Sequence, residues 1–377
     1  MLDGGRPRVV SAISNHPLAA AAAGEVIGEV LDGVGMNPEL VLVFAFGGHV
    51  DFVGELSASV THVLRPRTTV AVTGQARPGS GDGHGDAGVF AWATTVGPVR
   101  AVVLDETGLG SDGRAPDFGP SPAAIVAFGN APQWPPQAAL DRWSLRFPNT
   151  FITGAQPMGH EGAVMVGGTR VGPGGVALVF DATAPLSGKC VSRTRGVGPS
   201  MTANVVRGRV ISELDGTDAI DRFERAVSDL MPADRAELRR EILIGVTMSH
   251  EDGGGFFVAQ LLGMNRRAGS LVADHEIDEG SILQLQVMSD DPAGSILLDP
   301  FHRNDPRTIV GTLTFIDGRY EPRDPTDAIS TDGSRDEWQD ILRRGLCSSG
   351  VIGSLGGRTR IQQHVVSALI VGRHSWL

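Results

Sequence analysis

The apolar positions fall into two kinds of run. Val41–Phe46 is short and continuously apolar, the pattern of a strand buried on both faces, and Thr69–Thr73 reads as its neighbour. Between them, Asp51–Leu64 spaces Phe52, Leu56, Val60 and Val63 as one face of an amphipathic helix. An earlier helix is expected from Asn15 as cap and Pro17 in the first turn, through the alanines to about Leu31. This β-α-β order predicts a parallel pair with helices on its face. A second unit repeats it: strand Ala124–Phe128, helix Pro136–Phe147, and strand Thr150–Thr153 ending in Gly154. Two hairpins are expected, Val89–Thr94 with Arg100–Asp105 around Gly97-Pro98, and Val164–Val166 with Val176–Phe180. Pro78–Gly88 is glycine-rich and reads as a loop.

The second half mixes elements without strict alternation. Val210, Ile211 and Leu214 supply a strand, Asp215-Gly216 a tight turn, and Thr217 a cap for a helix carrying Ala219, Ile220, Phe223, Val227 and Leu230. A short helix at Pro232–Glu241 precedes strands at Ile242–Met248, Phe256–Leu262, Ser281–Met288 and Gly311–Ile316. Ser334–Arg344 follows as a helix, then strands near Leu346–Ile352 and His364–Val371. The expected class is therefore α+β with an α/β-like N-terminal half: two mixed sheets with helices packed on their faces. With 377 residues, two domains are the default, divided near Ala184–Gly188 into 1–186 and 187–377.

Composition narrows the function classes. The net charge of −11 disfavours non-specific nucleic-acid binding. Lys189 is the only lysine, so nearly all positive charge is arginine, a bias of bacterial GC-rich coding. Cys190 and Cys347 are too few for a disulfide framework or a thiolate metal cluster. The apolar runs are too short to insert into a membrane, and Met1–Arg8 lacks a signal-peptide core, which predicts a cytoplasmic protein.

Several segments together resemble a known family. Ile211, Glu213, Leu214, Asp215, Gly216 and Ala219 form one motif, with Asp218 where proline is usual. Gly280, Leu283, Gln284, Val287 and Asp290 form a second, and Gly345–Arg360 a glycine-rich closing block. In order along nearly the whole chain, these resemble the FIST family (F-box and intracellular signal transduction proteins). Three positions depart from it: Val351 replaces a glutamate, Gln362 a histidine, and Ile316-Asp317 the Cys-Asn ahead of Gly318-Arg319. The resemblance implies a sensory, non-enzymatic protein that binds a small ligand, an amino acid or another small anion, in a cleft between the halves. It also implies signalling by contact with a protein partner.

The candidate ligand-binding residues are the glycines at strand ends, Gly74, Gly154, Gly318, Gly356 and Gly357, with Arg319 and Arg358 for charge and Cys347 beside them. Bare amides can hold an anion and a guanidinium can fork onto a carboxylate, although glycine marks turns more often than sites. No cofactor or metal is expected. Relatives that bind haem as nitric-oxide sensors for a partner histidine kinase suggest an alternative, with His250, His275 or His364 as axial ligand. A thiol hydrolase using Cys190 or Cys347 is a further one, with Lys189, Arg193 and Arg195 near the first thiol.

Overall fold

The computed structural model describes residues 6–73, 87–131, 133–157, 162–239, 241–247, 256–288, 309–317, 346–355 and 358–372. Of these, 48% are strand and 21% helix, so the chain is α+β and richer in strand than the pattern alone suggested. The predicted helix Ser334–Arg344 lies outside the described residues, as does nearly all of the predicted loop Pro78–Gly88.

The first sheet grows from the opening β-α-β pattern. Strand β1 (Val9–Ser14) leads to helix α1 (Ala19–Val34), then β2 (Leu40–Phe46), α2 (Val53–Leu64), β3 (Thr68–Thr73) and β4 (Gly88–Thr94). All seven residues of β2 are buried, as its unbroken apolar run requires, and β2 pairs with β3 in parallel. Helix α1 begins at Ala19, beyond the expected cap. Ser14 Oγ accepts the His16 N–H (3.2 Å) and His16 Nδ1 accepts that of Leu18 (3.1 Å). These local bonds hold residues 14–18 in a non-helical turn. Helix α2 follows a 3₁₀ turn over Gly47–Phe52, which rotates its face: Val53, Leu56, Ser57, Val60 and Leu64 are buried. Phe52 and Val63, expected on that face, are about 40% exposed (43% and 40%).

The second sheet repeats the first at the level of topology. It contains β5 (Val99–Leu104), β6 (Ala124–Gly129), helix α3 (Gln137–Arg146), β7 (Phe151–Ala155) and β10 (Gly175–Phe180). The hairpin β8 (Val164–Val166) and β9 (Thr169–Arg170), which follows β7 in the chain, joins the first sheet instead, on β3. The equivalent place beside β7 is filled by a hairpin from far downstream, β21 (Val351–Leu355) and β22 (Arg358–Gln362). The orders then correspond strand for strand: β1-β4-β2-β3-β8-β9 and β5-β10-β6-β7-β21-β22. The parallel pair lies at the same place in each.

Both predicted hairpins are corrected by this arrangement. β4 lies between β1 and β2, while β5 is the edge of the second sheet, and the chain passes between sheets through Thr95–Pro98. β8 pairs with β3, whereas β10 pairs with β5 and β6. Every residue of β4 and of β10 is buried. Strands of that kind need a neighbour on each side, and long-range neighbours displaced the local ones.

A third sheet, β11 (Leu186–Ser192), β23 (Val365–Gly372), β19 (Ile309–Asp317) and β20 (Leu346–Ser348), packs on the first two. Its core is continuous with theirs. Phe128 lies 5.6 Å from Phe44 and 5.7 Å from Phe315, centroid to centroid, and Trp92 Nε1 donates to the Thr312 carbonyl (2.9 Å). The cores therefore do not divide at residues 184–188. β11, except for Leu186, and β19–β23 come from the expected C-terminal half yet pack with the first core.

Residues 194–288 form a separate body. It holds β12 (Thr194–Arg207), β13 (Val210–Leu214), β14 (Thr217–Asp218), α4 (Ala219–Ser228), α5 (Pro232–Leu238), β15 (Leu243–Thr247), β16 (Phe256–Asn265), β17 (Ser270–Ala273) and β18 (Ile282–Met288). The expected Asp215-Gly216 turn is present, both residues at positive φ (49° and 75°), the geometry of a tight hairpin. The helix cap is one residue later than predicted. Asp218 accepts the Ile220 and Asp221 N–H groups (3.0 and 3.3 Å), while Thr217 pairs in β14. This body has its own apolar core, built by Phe223, Leu214, Ile244, Phe257, Leu271 and Leu285 among others.

Candidate functional site

Ligands in open α/β sheets commonly lie beyond the carboxyl ends of the parallel strands. In this chain those ends, from the two related sheets, are joined by one short segment. At the end of β3, Thr73 Oγ1 accepts the Ala163 N–H (2.7 Å) and the Thr73 N–H donates to the Ala163 carbonyl (2.9 Å). One residue earlier, the Gly162 N–H donates to the carbonyl of Asn130, just past β6 (3.0 Å). Asn130 also clamps the next loop. Its N–H donates to the Gly174 carbonyl and its Oδ1 accepts the Gly174 N–H (both 3.1 Å), while its Nδ2 donates to the Gly172 carbonyl.

This stitching borders an open surface hollow of about 450 Å³ lined by Asn130, Gly162, Arg170, Val171, Gly172 and Pro173. Arg170, at the end of β9, is exposed and is the charged residue among the described ones of that lining. A second hollow of about 410 Å³ is lined by Asp221, Glu224, Arg225 and Ser228, all on α4. One helix flank converges with nothing, so the first hollow is the better candidate.

The neighbouring strand ends are closed by their own bonds. Past β7, the Gln156 N–H donates to the Gly350 carbonyl (2.9 Å) and Ser349 Oγ to that of Pro157 (2.6 Å). Past β1, Ser14 Oγ donates to Glu25 (2.5 Å), and buried His49 bonds through Nε2 to the His16 carbonyl (2.8 Å). These groups brace loops around the rim.

Of the residues singled out from sequence, Gly74, Gly318, Arg319, Gly356 and Gly357 lie outside the described residues, as does His250. The Cys347 backbone pairs with Ile316 in the third sheet, and its side chain lies outside the described set. Gly154 and Arg358 share the second sheet, separated by β21. Gly154 has φ 151°, and a Cβ there would stand 2.0 Å from the Ala127 carbonyl oxygen. Close contact between β6 and β7 therefore requires this glycine. Arg358 grips Asp141 of α3 with two bonds, Nε to Oδ1 at 2.9 Å and Nη2 to Oδ2 at 2.7 Å. Its fork is thus engaged by a carboxylate of the chain itself.

Burial would raise the Asp141 pKa. The bonds from Arg358 and Gln137, with the charges of Arg358 and Arg360, outweigh it and hold the carboxyl below its ordinary value. Cys190 is buried, which pushes its thiol up to about 12 despite a hydrogen bond from Ser367. A thiol held that high is a poor nucleophile at neutral pH. Val351 and Gln362, which depart from the family pattern, are cross-strand partners in β21–β22 and both are buried. His275 pairs with Asp274 (2.8 Å), and buried His364 faces Glu241 (3.6 Å). Among the described residues, no group of three or more His, Cys, Asp or Glu could hold a metal ion. Among them, too, no helix is long and apolar enough to cross a membrane.

Sequence reasoning missed Arg170 and Asn130. Arg170 sits in a two-residue strand with no periodicity to read, and Asn130 looked like an ordinary residue after a strand.

No family model matches the chain. It is similar to an uncharacterized protein of Mycobacterium bovis and to another of Mycobacterium tuberculosis. Each is 24% identical over 305 residues, covering 76% of this chain and 77% of the relative.

Proposed function

We propose that this is a sensory protein of the FIST type that binds a small anionic ligand, such as an amino acid through its carboxylate. The ligand sits in the hollow at the joined ends of β3 and β6. That junction is the observation carrying the reading: two topologically matching sheets offer their carboxyl ends to one recess, with Arg170 at its edge. A guanidinium suits a carboxylate by charge and shape, and Asn130 pre-sets the surrounding backbone. The signal then passes by contact to a partner protein.

Isothermal titration with a panel of amino acids and simple carboxylates tests this. The native chain is expected to bind at least one carboxylate, and Arg170→Ala to weaken that binding at least tenfold. A panel in which nothing binds, or in which the variant binds equally well, would remove the reading.

A further inference from the structure

The body formed by residues 194–288 is inserted into the first one, and both ends of the insertion meet at one place. Arg193 alone separates β11, in the first core, from β12, in the second. Thr194, the first residue of β12, pairs with Met288, the last of β18. The first and last described residues of this body are therefore adjacent backbone positions. A body hung on two neighbouring strands can turn about that pair, and its angle must be fixed by other contacts.

Among the described residues, those contacts include polar and ring contacts. Where β16 meets β22, the Arg360 guanidinium lies 4.4 Å from the centroid of the Phe257 ring. Asp141 of the first body and Asp278 of the insert both act on its charge. Nearer the pivot, His364 Nε2 stands 3.6 Å from Glu241 Oε1, and the His364 carbonyl accepts the Arg193 N–H (2.7 Å). His364 is itself held by Asp317 Oδ2, which accepts its backbone N–H (2.7 Å). A cation–π contact of this kind is a modest one, a closure that a partner can open.

We propose that residues 194–288 are a hinged arm that pivots at Thr194 and Met288 and is latched against the edge of the second sheet by Arg360 on Phe257. The arm belongs to the architecture and does not depend on which ligand fills the hollow. Its edge contact is strand β22, which is also gripped by α3 through Arg358–Asp141 and through Gln137 Nε2 on the Thr359 carbonyl (2.9 Å). The latch thus joins the insert to a strand that the first body holds rigidly.

Pulsed electron-spin distance measurement on the full chain tests the latch. Nitroxide labels are placed at Leu145→Cys on α3 and Met231→Cys beside α5, both well exposed. Cys347→Ser leaves only the buried Cys190 besides the labels. The labelled parent is expected to give one dominant distance. Arg360→Ala is expected to add a second, longer population, and Phe257→Leu, which removes the ring from the other side, to do the same. A folding defect in either variant leaves the other to decide. One unchanged distance in a folded variant overturns the proposal, as does a parent already spread over several distances.

Discussion

Arg358 and Arg170 carry the same charge, and their surroundings give them different work. Arg358 is consumed by Asp141, whereas Arg170 stands exposed at the edge of a recess. Cys190 shows the same dependence on surroundings. From sequence, neighbouring basic residues could have made it a thiolate, but burial outweighs them and its thiol lies at about 12. In the native protein at neutral pH, Cys190 is expected to resist iodoacetamide and to react after denaturation. Rapid native alkylation mapped to Cys190 by mass spectrometry would contradict its placement. Gly154 is fixed by space. A methyl group there would meet the Ala127 carbonyl oxygen at 2.0 Å, and that atom is backbone and cannot swing away. Gly154→Ala is expected to cost roughly 1–3 kcal/mol by overpacking, read as a lower urea midpoint with an unchanged slope. An unaltered midpoint would show that β6 and β7 are not so closely apposed.

At the scale of elements, α3 depends on β22 for its seat. Arg358→Ala is expected to loosen it by about 1 kcal/mol, since the pair is partly solvated. Asp141 makes the effect pH-dependent. Its folded pKa is depressed, so the stabilisation is present above the unfolded carboxylate value of about 4 and is lost as pH falls through the folded value. Urea melts at pH 7 and pH 3 are expected to separate parent from variant at the higher pH and to narrow the gap at the lower. A gap that stays constant would assign the loss to packing of the arginine stem. Elements themselves were largely legible. The continuous apolar run of β2, the helical spacing of α3 and the Asp215-Gly216 turn each satisfy a local rule and appear within a residue or so of their predicted places. Starts were less so. Helix α1 opens late because Ser14 and His16 bond to nearby backbone, a competition that apolar spacing does not register.

At the scale of the whole molecule, partner choice escaped the sequence. β4 and β10 looked like halves of hairpins because hairpins close locally, yet each found both partners at a distance. The β21–β22 hairpin fills the place beside β7 some two hundred residues along the chain from it, and so completes the likeness between the two sheets. The two β-α-β units were visible as a repeated order without sequence identity; the placing of the four further strands in each sheet that make the correspondence full was not. The candidate site follows the same division. Glycines at strand ends were readable, but which ends converge is decided by Thr73, Ala163, Gly162 and Asn130 meeting across two sheets. The cores, too, cut across the expected halves, leaving 194–288 as an insert with its pivot at Thr194 and Met288.

By itself the sequence determined where backbone becomes strand, helix or turn, because burial periodicity and turn chemistry act over a few residues. Only the tertiary structure decided which strands pair, where the apolar cores part and which arginine is left to face a recess. Those outcomes depend on long-range contacts competing for the same edges and the same charges, and such contests leave no mark on any short stretch of chain.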